Sequence, residues 1–289
     1  MSEKSEQTRF NTEKRPNWCP GCGNFGIQTA LKKAMLELDL QPHQVVISSG
    51  IGCSSKMPHW VNVYGIHGLH GRTLPIATGL KLANNKLIVI AEGGDGDGLN
   101  EGMNHFIQAC RRNVDLTYLI HNNGVFALTT GQASGTAMQG FVSSSTPHGS
   151  VEPPFKPAAL AIAAGATFVA RGYSGDEEQL SELIAAAIKH PGFALVDILQ
   201  VCVTYNPERD YKWYQERVYK LEGEKHIPTD RDKAVQLALA DGEDRLPTGV
   251  FYRDDRLPYE HSLPQLKEDP LVHHDITDVD ISNLMDELV

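Results

Sequence analysis

Short apolar runs rich in β-branched residues recur along this sequence, and segments with helical periodicity separate them. Each run is apolar at successive positions, so both faces of the strand that it predicts are buried, as in a parallel sheet. The runs occupy residues 45–48, 86–91, 115–121 and 193–199. Strands that alternate with helices predict an α/β fold, in which helices flank a mostly parallel sheet.

Three helices are predicted between these strands. The first follows Asn24, whose side chain is suited to cap it, and runs to about Leu40 with Phe25 among its inward residues. The second covers about residues 99–112. The third, at 176–190, begins with acidic residues and ends with basic ones, an arrangement that the helix dipole favours.

A chain of 289 residues is long enough for one large α/β domain, or for two small ones, and can bury a substantial core. We divide it into an N-terminal segment (1–16), a main domain (17–206) and a C-terminal extension (207–289). The extension is expected to pack on the domain or on a partner subunit. It contains an amphipathic segment at 208–221 and a predicted helix at 231–242.

Charge and hydropathy exclude two classes of partner. The net charge of -10 repels a phosphate backbone, so no nucleic-acid partner is expected. No apolar run of about 18 residues predicts a membrane span, and residues 1–16 lack the apolar core of a secretory signal. The expected location is the cytoplasm, where thiols stay reduced. The acidic tail at 267–289 is interpreted as a solvated segment, with an interaction arm as the alternative.

A glycine-rich acidic loop, GGDGDG at 93–98, stands between two predicted strands. Ligands bind at the carboxyl ends of strands in α/β sheets, and glycines let a ligand approach the backbone. The loop lacks the spacing of a dinucleotide-binding loop and the Gly-Lys-Ser/Thr of a phosphate loop. An acidic loop that meets phosphates needs a cation between them. Residues 130–158, rich in Gly, Ser, Thr and Pro, are expected to cover this site.

Magnesium is suited to lie between the acidic loop and the phosphates, because it binds through one or two protein carboxylates together with substrate phosphates. Adjacent parallel strands bring their carboxyl ends together, so Asp95 after one strand and Asn123 after the next can share one ion. A Gly-Asp-Gly followed at this distance by Asn-Asn resembles the thiamine diphosphate motif. The resemblance assigns the magnesium of the cofactor's diphosphate to Asp95, Asn123 and the carbonyl of Val125.

Four of the five cysteines lie at the ends of predicted elements. Cys19 and Cys22 form a C-x-x-C pair before the first helix, and Cys53 and Cys202 each follow a predicted strand. Cys110 lies inside a helix, where a small buried residue is expected. A thioredoxin-like disulfide would use only the first pair and lacks its preceding strand. Spacing alone leaves structural zinc and a 4Fe-4S cluster both open.

Taken as a set, the motifs resemble those of the β subunits of the 2-oxoacid:ferredoxin oxidoreductases, over about residues 17–206. In chain order they are WCPGCGNFGI, SSGIGCSSK, LHGRTLPIATGLKLAN, GGDGD, ACRRN and TGQAS. The resemblance implies a thiamine-diphosphate-binding fold and a 4Fe-4S cluster held by Cys19, Cys22, Cys53 and Cys202. It also implies CoA-dependent oxidative decarboxylation of a 2-oxoacid, or its reverse, with electrons passed through the cluster to ferredoxin.

The resemblance also implies roles for the residues around these ligands. Beside the magnesium ligands, the expected cofactor-binding residues are Ile51, Gly52, Cys53, Ser54, His70, Gly94, Gly96, Asp97, Ala127 and Leu128. Two residues are predicted to be catalytic. Lys56 is expected to pair with the second carboxylate of a substrate such as 2-oxoglutarate, with an ordinary surface lysine as the alternative. His70 is expected near the diphosphate or the substrate, with a structural histidine as the alternative.

Part of the function depends on another chain. The glutamate that activates thiamine lies in the family's α subunit, so an α subunit is the expected partner, as an αβ pair or its dimer. The expected substrate is 2-oxoglutarate, converted to succinyl-CoA, with pyruvate or a branched-chain 2-oxoacid as the alternative. A non-oxidative thiamine decarboxylase would not need the four cysteines, and a non-catalytic metal scaffold would not need thiamine. In the loop GQASGT, Gly135 departs from the proline that is usual in the family.

Overall fold

A computed structural model provides the fold of the chain. It describes residues 8–240, 242, 244–267 and 269–288. The first seven residues of the predicted N-terminal segment therefore lie outside the described residues, as do Glu268 and Val289 of the acidic tail. In the described part, an eight-stranded sheet carries helices on both of its faces.

The strands form one large sheet and one small hairpin. They are β1 (Val45–Ser49), β2 (Tyr64–His67), β3 (Ile88–Gly94), β4 (Leu116–Asn122), β5 (Val125–Phe126), β6 (Gln132–Ala133), β7 (Phe168–Tyr173), β8 (Phe193–Leu199), β9 (Val218–Lys220) and β10 (Leu246–Arg253). The large sheet has the order β2-β1-β3-β4-β8-β7-β10-β9. Its neighbours pair in parallel, except that β10 runs antiparallel to β7. The prediction of an α/β fold with a mostly parallel sheet is confirmed.

The helices connect these strands across the two faces of the sheet. They are α1 (Asn24–Glu37), α2 (Thr73–Ala83), α3 (Met103–Arg112), α4 (Pro157–Ala164), α5 (Glu177–Lys189), α6 (Tyr211–Gln215), α7 (Arg231–Leu239) and α8 (Ser282–Asp286). A π-helical turn, Gly96–Glu101, precedes α3. Short 3-10 turns occupy Pro42–Gln44, Ser54–His59, Leu221–Gly223, Tyr259–Ser262, Pro264–Leu266 and Leu271–His273.

Apolar side chains fill the space on both sides of the sheet. On one side, Leu31 and Met35 of α1 share a core with Leu180 and Ile184 of α5. On the other side, α2, α3, α4 and α7 contribute to a second core around the fully buried Phe106. All residues of β1 and β8 are buried, because helices cover both of their faces. This explains why the apolar runs alone predicted these strands.

The start of α1 differs from the prediction. Its N-cap is Gly23, and Asn24 is the first helical residue rather than a cap. The Asn24 side chain is 2.8 Å from the ring nitrogen Nδ1 of His121, so a buried partner on β4 replaces the capping contact. Phe25 is 36% exposed rather than inward. The helix ends at Glu37, before the predicted end.

Of the other two helices predicted between the strands, one is shorter than expected and one is confirmed. The segment 99–112 becomes helical in the α sense only at Met103, because glycines at 96, 98 and 102 weaken a regular helix before it. The amphipathic segment 208–221 is not one helix but contains α6 and β9. The backbone carbonyl of Arg217 accepts a hydrogen bond from the N–H of Leu246, which draws β9 into the sheet beside β10. The helix predicted at 176–190 is confirmed as α5, with Asp176 as its cap.

The region predicted as a C-terminal extension contributes two strands to the main sheet. β10 pairs with β7 with Val250 opposite Ala170, and β9 follows at the edge. Residues after 206 therefore pack on the domain by completing its sheet. The last described part of the acidic tail, 271–288, is exposed throughout. Among the described residues, no helix combines the length and the apolar character needed to cross a membrane.

Candidate active site

The glycine-rich loop and the Asn-Asn turn meet at one edge of the sheet, because β3 and β4 are parallel neighbours. Asp95 follows β3 and is 1% exposed. Its Oδ2 accepts a hydrogen bond from the backbone N–H of Gly124, at 2.9 Å. Gly124 has a φ of +77°, a left-handed conformation that glycine adopts at little cost. The two motifs are thus in direct contact, although they are separate in sequence.

Two hydroxyl groups hold the same carboxylate. Ser134 and Thr136 both donate hydrogen bonds to Oδ2 of Asp95. Burial raises the pKa of Asp95, while the hydrogen bonds from Ser134, Thr136 and the backbone of Gly124 lower it. A nearby divalent cation would favour the ionised form of this buried carboxyl further. The loop at 130–158 therefore reaches the site through its hydroxyl residues.

The amide of Asn123 is held from both ends. Its Oδ1 accepts a hydrogen bond from the backbone N–H of Val125 at 3.0 Å. Its Nδ2 donates to Oε1 of Gln200 at 2.8 Å. Asn206 also donates to the backbone carbonyl of Asn123, at 2.9 Å. The positions of the amide oxygen and nitrogen are therefore determined by their partners. Oxygen atoms are the ligands that magnesium prefers.

One cleft collects the residues predicted to bind the cofactor. It is lined by Ile51, Gly52, Cys53, Ser54, His70, Gly94, Asp95, Gly96, Asp97, Asn123, Val125, Ala127 and Leu128, and also by Phe126 and Thr129. The last two had not been predicted. The structure thus brings every predicted cofactor-binding residue to one place, from the ends of three neighbouring strands and from the loop before α2.

Asp97 supports the wall of this cleft. Its Oδ1 accepts hydrogen bonds from the backbone N–H groups of Ile51, at 3.0 Å, and Gly71, at 2.8 Å. The same oxygen is 2.8 Å from Nδ1 of His70. Burial raises the pKa of Asp97, and these N–H groups and His70 lower it. Asp97 therefore joins the loop after β1 to the loop before α2, and it positions His70 at the cleft.

The cleft has the donors and the open backbone that a magnesium diphosphate needs. Asp95 offers a carboxylate, Asn123 an amide oxygen and Val125 a backbone carbonyl, which are all oxygen ligands. At Gly52, an added Cβ atom would meet only the Ser54 hydroxyl, at 3.9 Å. This wall of the cleft is therefore open to the close approach of a ligand. The residues present fit thiamine diphosphate with magnesium.

The four cysteines predicted to bind a cluster line one cavity of about 210 Å³. Cys19 and Cys22 precede α1, Cys53 follows β1 and Cys202 follows β8. All are free thiols. Burial raises the pKa of Cys22 to about 11, and the electrostatic effect of the nearby Cys202, Cys53 and Cys19 raises it further.

Four cysteine sulfurs are the kind of ligand set that either a zinc ion or a 4Fe-4S cluster takes. In the part of the chain that the structure describes, no three His, Cys, Asp or Glu side chains form a group that could hold one metal ion. A zinc site would need thiolates at about 2.3 Å from one centre. A 4Fe-4S cluster likewise takes four cysteine thiolates, one on each iron.

The cleft and the cysteine cavity are neighbours that share part of their walls. Cys53, Asn123, Ala127 and Leu128 line both. Lys56 lines the cysteine cavity and not the cleft, and its Nζ is 3.4 Å from Oδ1 of Asn17. Burial raises the pKa of Cys53, and the positive charge of Lys56 opposes this shift. The two predicted catalytic residues, Lys56 and His70, therefore lie in adjacent spaces.

Sequence reasoning missed several residues that hold the site together. Three of them form hydrogen bonds to the side chains of the predicted metal ligands: Ser134 and Thr136 to Asp95, and Gln200 to Asn123.

A second buried polar pair lies on β3 and β4, where Oε2 of Glu92 is 3.3 Å from Nε2 of His121. Burial raises the pKa of Glu92, and the contact with His121 lowers it. The only sequence signal for these residues was their position close to a predicted ligand or strand end.

Two family models match the chain in succession. The model described as the C-terminal TPP-binding domain of thiamine pyrophosphate enzymes matches residues 43–198. The model described as the C-terminal part of the pyruvate ferredoxin oxidoreductase β subunit matches residues 202–268. The first match includes all of the strands that border the cleft. The fold and the cleft therefore define a thiamine-diphosphate-binding domain.

Relatives and a solved structure define the family further. The chain is 48% identical over 252 residues to the β subunit of 2-oxoacid:ferredoxin oxidoreductase 1 of Aeropyrum pernix, covering 84% of this chain and 79% of that protein. It is 46% identical over 197 residues to the 2-oxoglutarate oxidoreductase subunit KorB of Mycobacterium tuberculosis, covering 68% of this chain and 53% of KorB. The structure of 2-oxoglutarate:ferredoxin oxidoreductase from Magnetococcus marinus, with 2-oxoglutarate, coenzyme A and succinyl-CoA bound, matches with a TM-score of 0.90 and 35% identity, over 99% of this chain and 97% of that chain.

The chain belongs to the β subunits of the 2-oxoacid:ferredoxin oxidoreductases. This confirms the family that the sequence motifs indicated, and with it the prediction of an oxidoreductase subunit.

Proposed function

We propose that this β subunit acts with an α subunit in the CoA-dependent oxidative decarboxylation of 2-oxoglutarate. The products are succinyl-CoA and carbon dioxide, and the two electrons leave one at a time through a 4Fe-4S cluster to ferredoxin. The observation that carries the proposal is the shared wall between the cleft and the cysteine cavity, formed by Cys53, Asn123, Ala127 and Leu128.

The cleft is the proposed site of thiamine diphosphate. Asp95, Asn123 and the carbonyl of Val125 would hold its magnesium ion. Once bound, the cofactor supplies a carbon nucleophile and an electron sink for decarboxylation. Ile51, Gly52 and Ser54 line the cleft on one side, with Ala127 and Leu128 on the other. These walls would exclude water and orient the reacting end of the cofactor.

The cysteine cavity is the proposed site of the cluster. Cys53 lines both spaces, so its sulfur is close to the cofactor site as well as to the other cysteines. Electrons would therefore cross a single layer of side chains between the two groups. Cys19 is the most exposed of the four ligands, and its side of the cavity is the proposed exit toward ferredoxin.

Two 2-oxoacids are candidate substrates of this reaction. The relative from Mycobacterium tuberculosis and the solved structure from Magnetococcus marinus are both named for 2-oxoglutarate, which supports that acid. Lys56 would provide the positive charge that a second carboxylate needs. Pyruvate is the second candidate, because the family model that matches residues 202–268 is named for pyruvate.

The substrate is tested by assay of the αβ complex. Reduction of ferredoxin with CoA is measured with 2-oxoglutarate and, separately, with pyruvate. The proposal expects the larger kcat/KM for 2-oxoglutarate. A larger kcat/KM for pyruvate would contradict the substrate and leave the class of reaction standing.

The cluster is tested with two cysteine variants of the αβ complex, purified without oxygen. In Cys202→Ser, the proposed cluster loses a ligand, so iron and labile sulfide should fall well below four of each per β subunit. Cys110→Ser is the matched control, because Cys110 is buried within α3, away from the cavity. Equal iron content in both variants would contradict the proposed ligand set.

A further inference from the structure

We infer that Gln200 is a positioning residue that links the magnesium site to the cluster through one chain of amide hydrogen bonds. Gln200 lies between the end of β8 and the cluster ligand Cys202, and it is 2% exposed. The inference rests on the proposed function, because it takes Asn123 as a magnesium ligand and Cys22 as a cluster ligand.

The two ends of the Gln200 amide meet these two ligands. Oε1 of Gln200 accepts a hydrogen bond from Nδ2 of Asn123, at 2.8 Å. Nε2 of Gln200 donates to Sγ of Cys22 at 3.4 Å, and it is also 3.4 Å from the carbonyl oxygen of Val201. A single side chain therefore contacts both proposed sites.

A backbone group determines the direction of the whole chain. The N–H of Val125 can only donate, and it donates to the side-chain oxygen of Asn123. The nitrogen of Asn123 must then face Gln200, which can accept only through its oxygen. The nitrogen of Gln200 is consequently left to face the sulfur of Cys22. The assignment of the amide atoms, which is often ambiguous, follows here from the network.

The backbone around Gln200 fixes this position. β8 and β4 pair in parallel with Leu199 opposite Asn122, and the N–H of Gln200 donates to the carbonyl of Asn122 at 2.9 Å. Asn206 contacts the same turn, by donating to the carbonyl of Asn123. The segment that carries Cys202 is thus attached to the magnesium turn by both its side chains and its backbone.

The N–H donor has a predictable effect on the cluster. A hydrogen bond to a ligating sulfur stabilises the additional negative charge of the reduced cluster more than the oxidised one, which raises the reduction potential. The acceptor end has a different effect. It holds the nitrogen of Asn123 away from the cation and so keeps the amide oxygen available to magnesium.

Gln200→Met tests both ends, because it keeps the length of the side chain and removes the donor and the acceptor. In the αβ complex, at a fixed ambient potential, we expect the ratio of reduced to oxidised cluster to fall about tenfold. For one electron this corresponds to ~59 mV. We expect the affinity for Mn²⁺, used as a spectroscopic substitute for magnesium in the presence of thiamine diphosphate, to fall about 10- to 100-fold. Gln179→Met is the control, since Gln179 is buried on α5 and bonds to Glu222.

A second variant tests the direction of the amides without changing Gln200. Asn123→Asp retains an oxygen ligand for the cation but has no N–H to donate. Gln200 must then turn its nitrogen to the new carboxylate and its oxygen to Cys22, which removes the donor to sulfur. The potential should fall in this variant also. The shift in the double variant should be smaller than the sum of the two single shifts, because both substitutions remove the same hydrogen bond to Cys22.

The outcomes separate this inference from the function on which it rests. If the wild-type complex holds no four-iron cluster, the proposed function fails first. If the wild-type cluster is present and its potential is the same in Gln200→Met and Gln179→Met, the inference is overturned. If Gln200→Met does not retain a cluster, its affinity for Mn²⁺ decides: a loss relative to Gln179→Met supports the inference, and an unchanged affinity overturns it. Fully additive shifts in the double variant would indicate only a through-space charge effect and would also overturn it.

Discussion

The indole N–H of Trp18 donates a hydrogen bond to the backbone carbonyl of Cys53, at 2.7 Å. Trp18 immediately precedes Cys19, so this bond ties the first pair of cysteines to the cysteine that follows β1. The ring of Trp18 also contacts Phe25 edge to face, with ring centroids 5.3 Å apart. The protein therefore organises part of the cysteine cavity through contacts that need no metal.

The Trp18 bond predicts how firmly the cluster is retained. Trp18→Phe preserves an aromatic ring beside Phe25 but removes the donor to Cys53. We expect the variant to lose about 1 kcal/mol of stability and to release iron to a chelator faster than the wild type. Trp60→Phe is the matched control, because among the described residues the Trp60 nitrogen has no hydrogen-bond partner. Equal release rates for the two variants would contradict the role of the bond.

The hydroxyl of Thr136 predicts the affinity for the metal. Thr136→Val removes one donor to Oδ2 of Asp95 and changes the volume little. Loss of a hydrogen bond that orients a metal ligand weakens metal binding by about 10- to 100-fold. Calorimetric titration of the αβ complex with Mg²⁺ and thiamine diphosphate measures this. Thr29→Val, on the exposed side of α1, should leave the affinity unchanged. An unchanged affinity in Thr136→Val would mean that the carboxylate orients itself without this donor.

The charge of Lys56 predicts the choice between the two acids. A charge-assisted hydrogen bond contributes about 1.5–3 kcal/mol, so Lys56→Ala should lower kcat/KM for 2-oxoglutarate by about 10- to 100-fold relative to pyruvate. Because Lys56 lines the cysteine cavity, an effect on electron transfer alone would lower the rates with both acids equally. Lys212→Ala, at an exposed position, is the control. An unchanged ratio between the acids would refute the substrate argument.

The burial of Cys22 predicts a dependence of thiol reactivity on pH in the metal-free chain. Burial raises the pKa of Cys22 to about 11, and the thiolate is the reactive form. Alkylation of Cys22 by iodoacetamide should therefore accelerate about tenfold for each pH unit between about 7 and 10. Cys19 is exposed and should react first. Peptide mass spectrometry measures both rates. Similar rates for the two cysteines at neutral pH would contradict the burial of Cys22.

The parts of the fold that sequence predicted share one physical property. β1, β3, β4 and β8 are covered on both faces, so their residues are apolar in succession. The strands that were missed break this pattern. β7 contains Arg171, which is buried in an ion pair with Asp197 of β8 at 3.0 Å, and β10 contains a proline and a glycine. Only the tertiary structure provides the partner that makes a buried arginine acceptable.

The site also has a part that sequence could predict and a part that it could not. Asp95 and Asn123 could be placed together from sequence, because parallel strands bring their carboxyl ends to one edge. Their contacts could not, since the hydroxyl of Thr136 and the amide of Gln200 reach the site only after a long loop and a further strand have folded. At Asn24 the sequence predicted a local contact that the structure does not form. Its residue type favours a helix cap, but the buried His121 provides a partner that local sequence does not contain.

The central claim is that a 2-oxoacid bound beside the cleft reduces a cluster held in the adjacent cavity. The most direct test is electron paramagnetic resonance of the anaerobic αβ complex, frozen after the addition of 2-oxoglutarate and CoA, without ferredoxin. The account predicts the signal of a one-electron-reduced 4Fe-4S cluster, which is absent from the Cys202→Ser complex. Clusters that all stay oxidised after the addition of 2-oxoglutarate and CoA, or the same signal in Cys202→Ser, would contradict it.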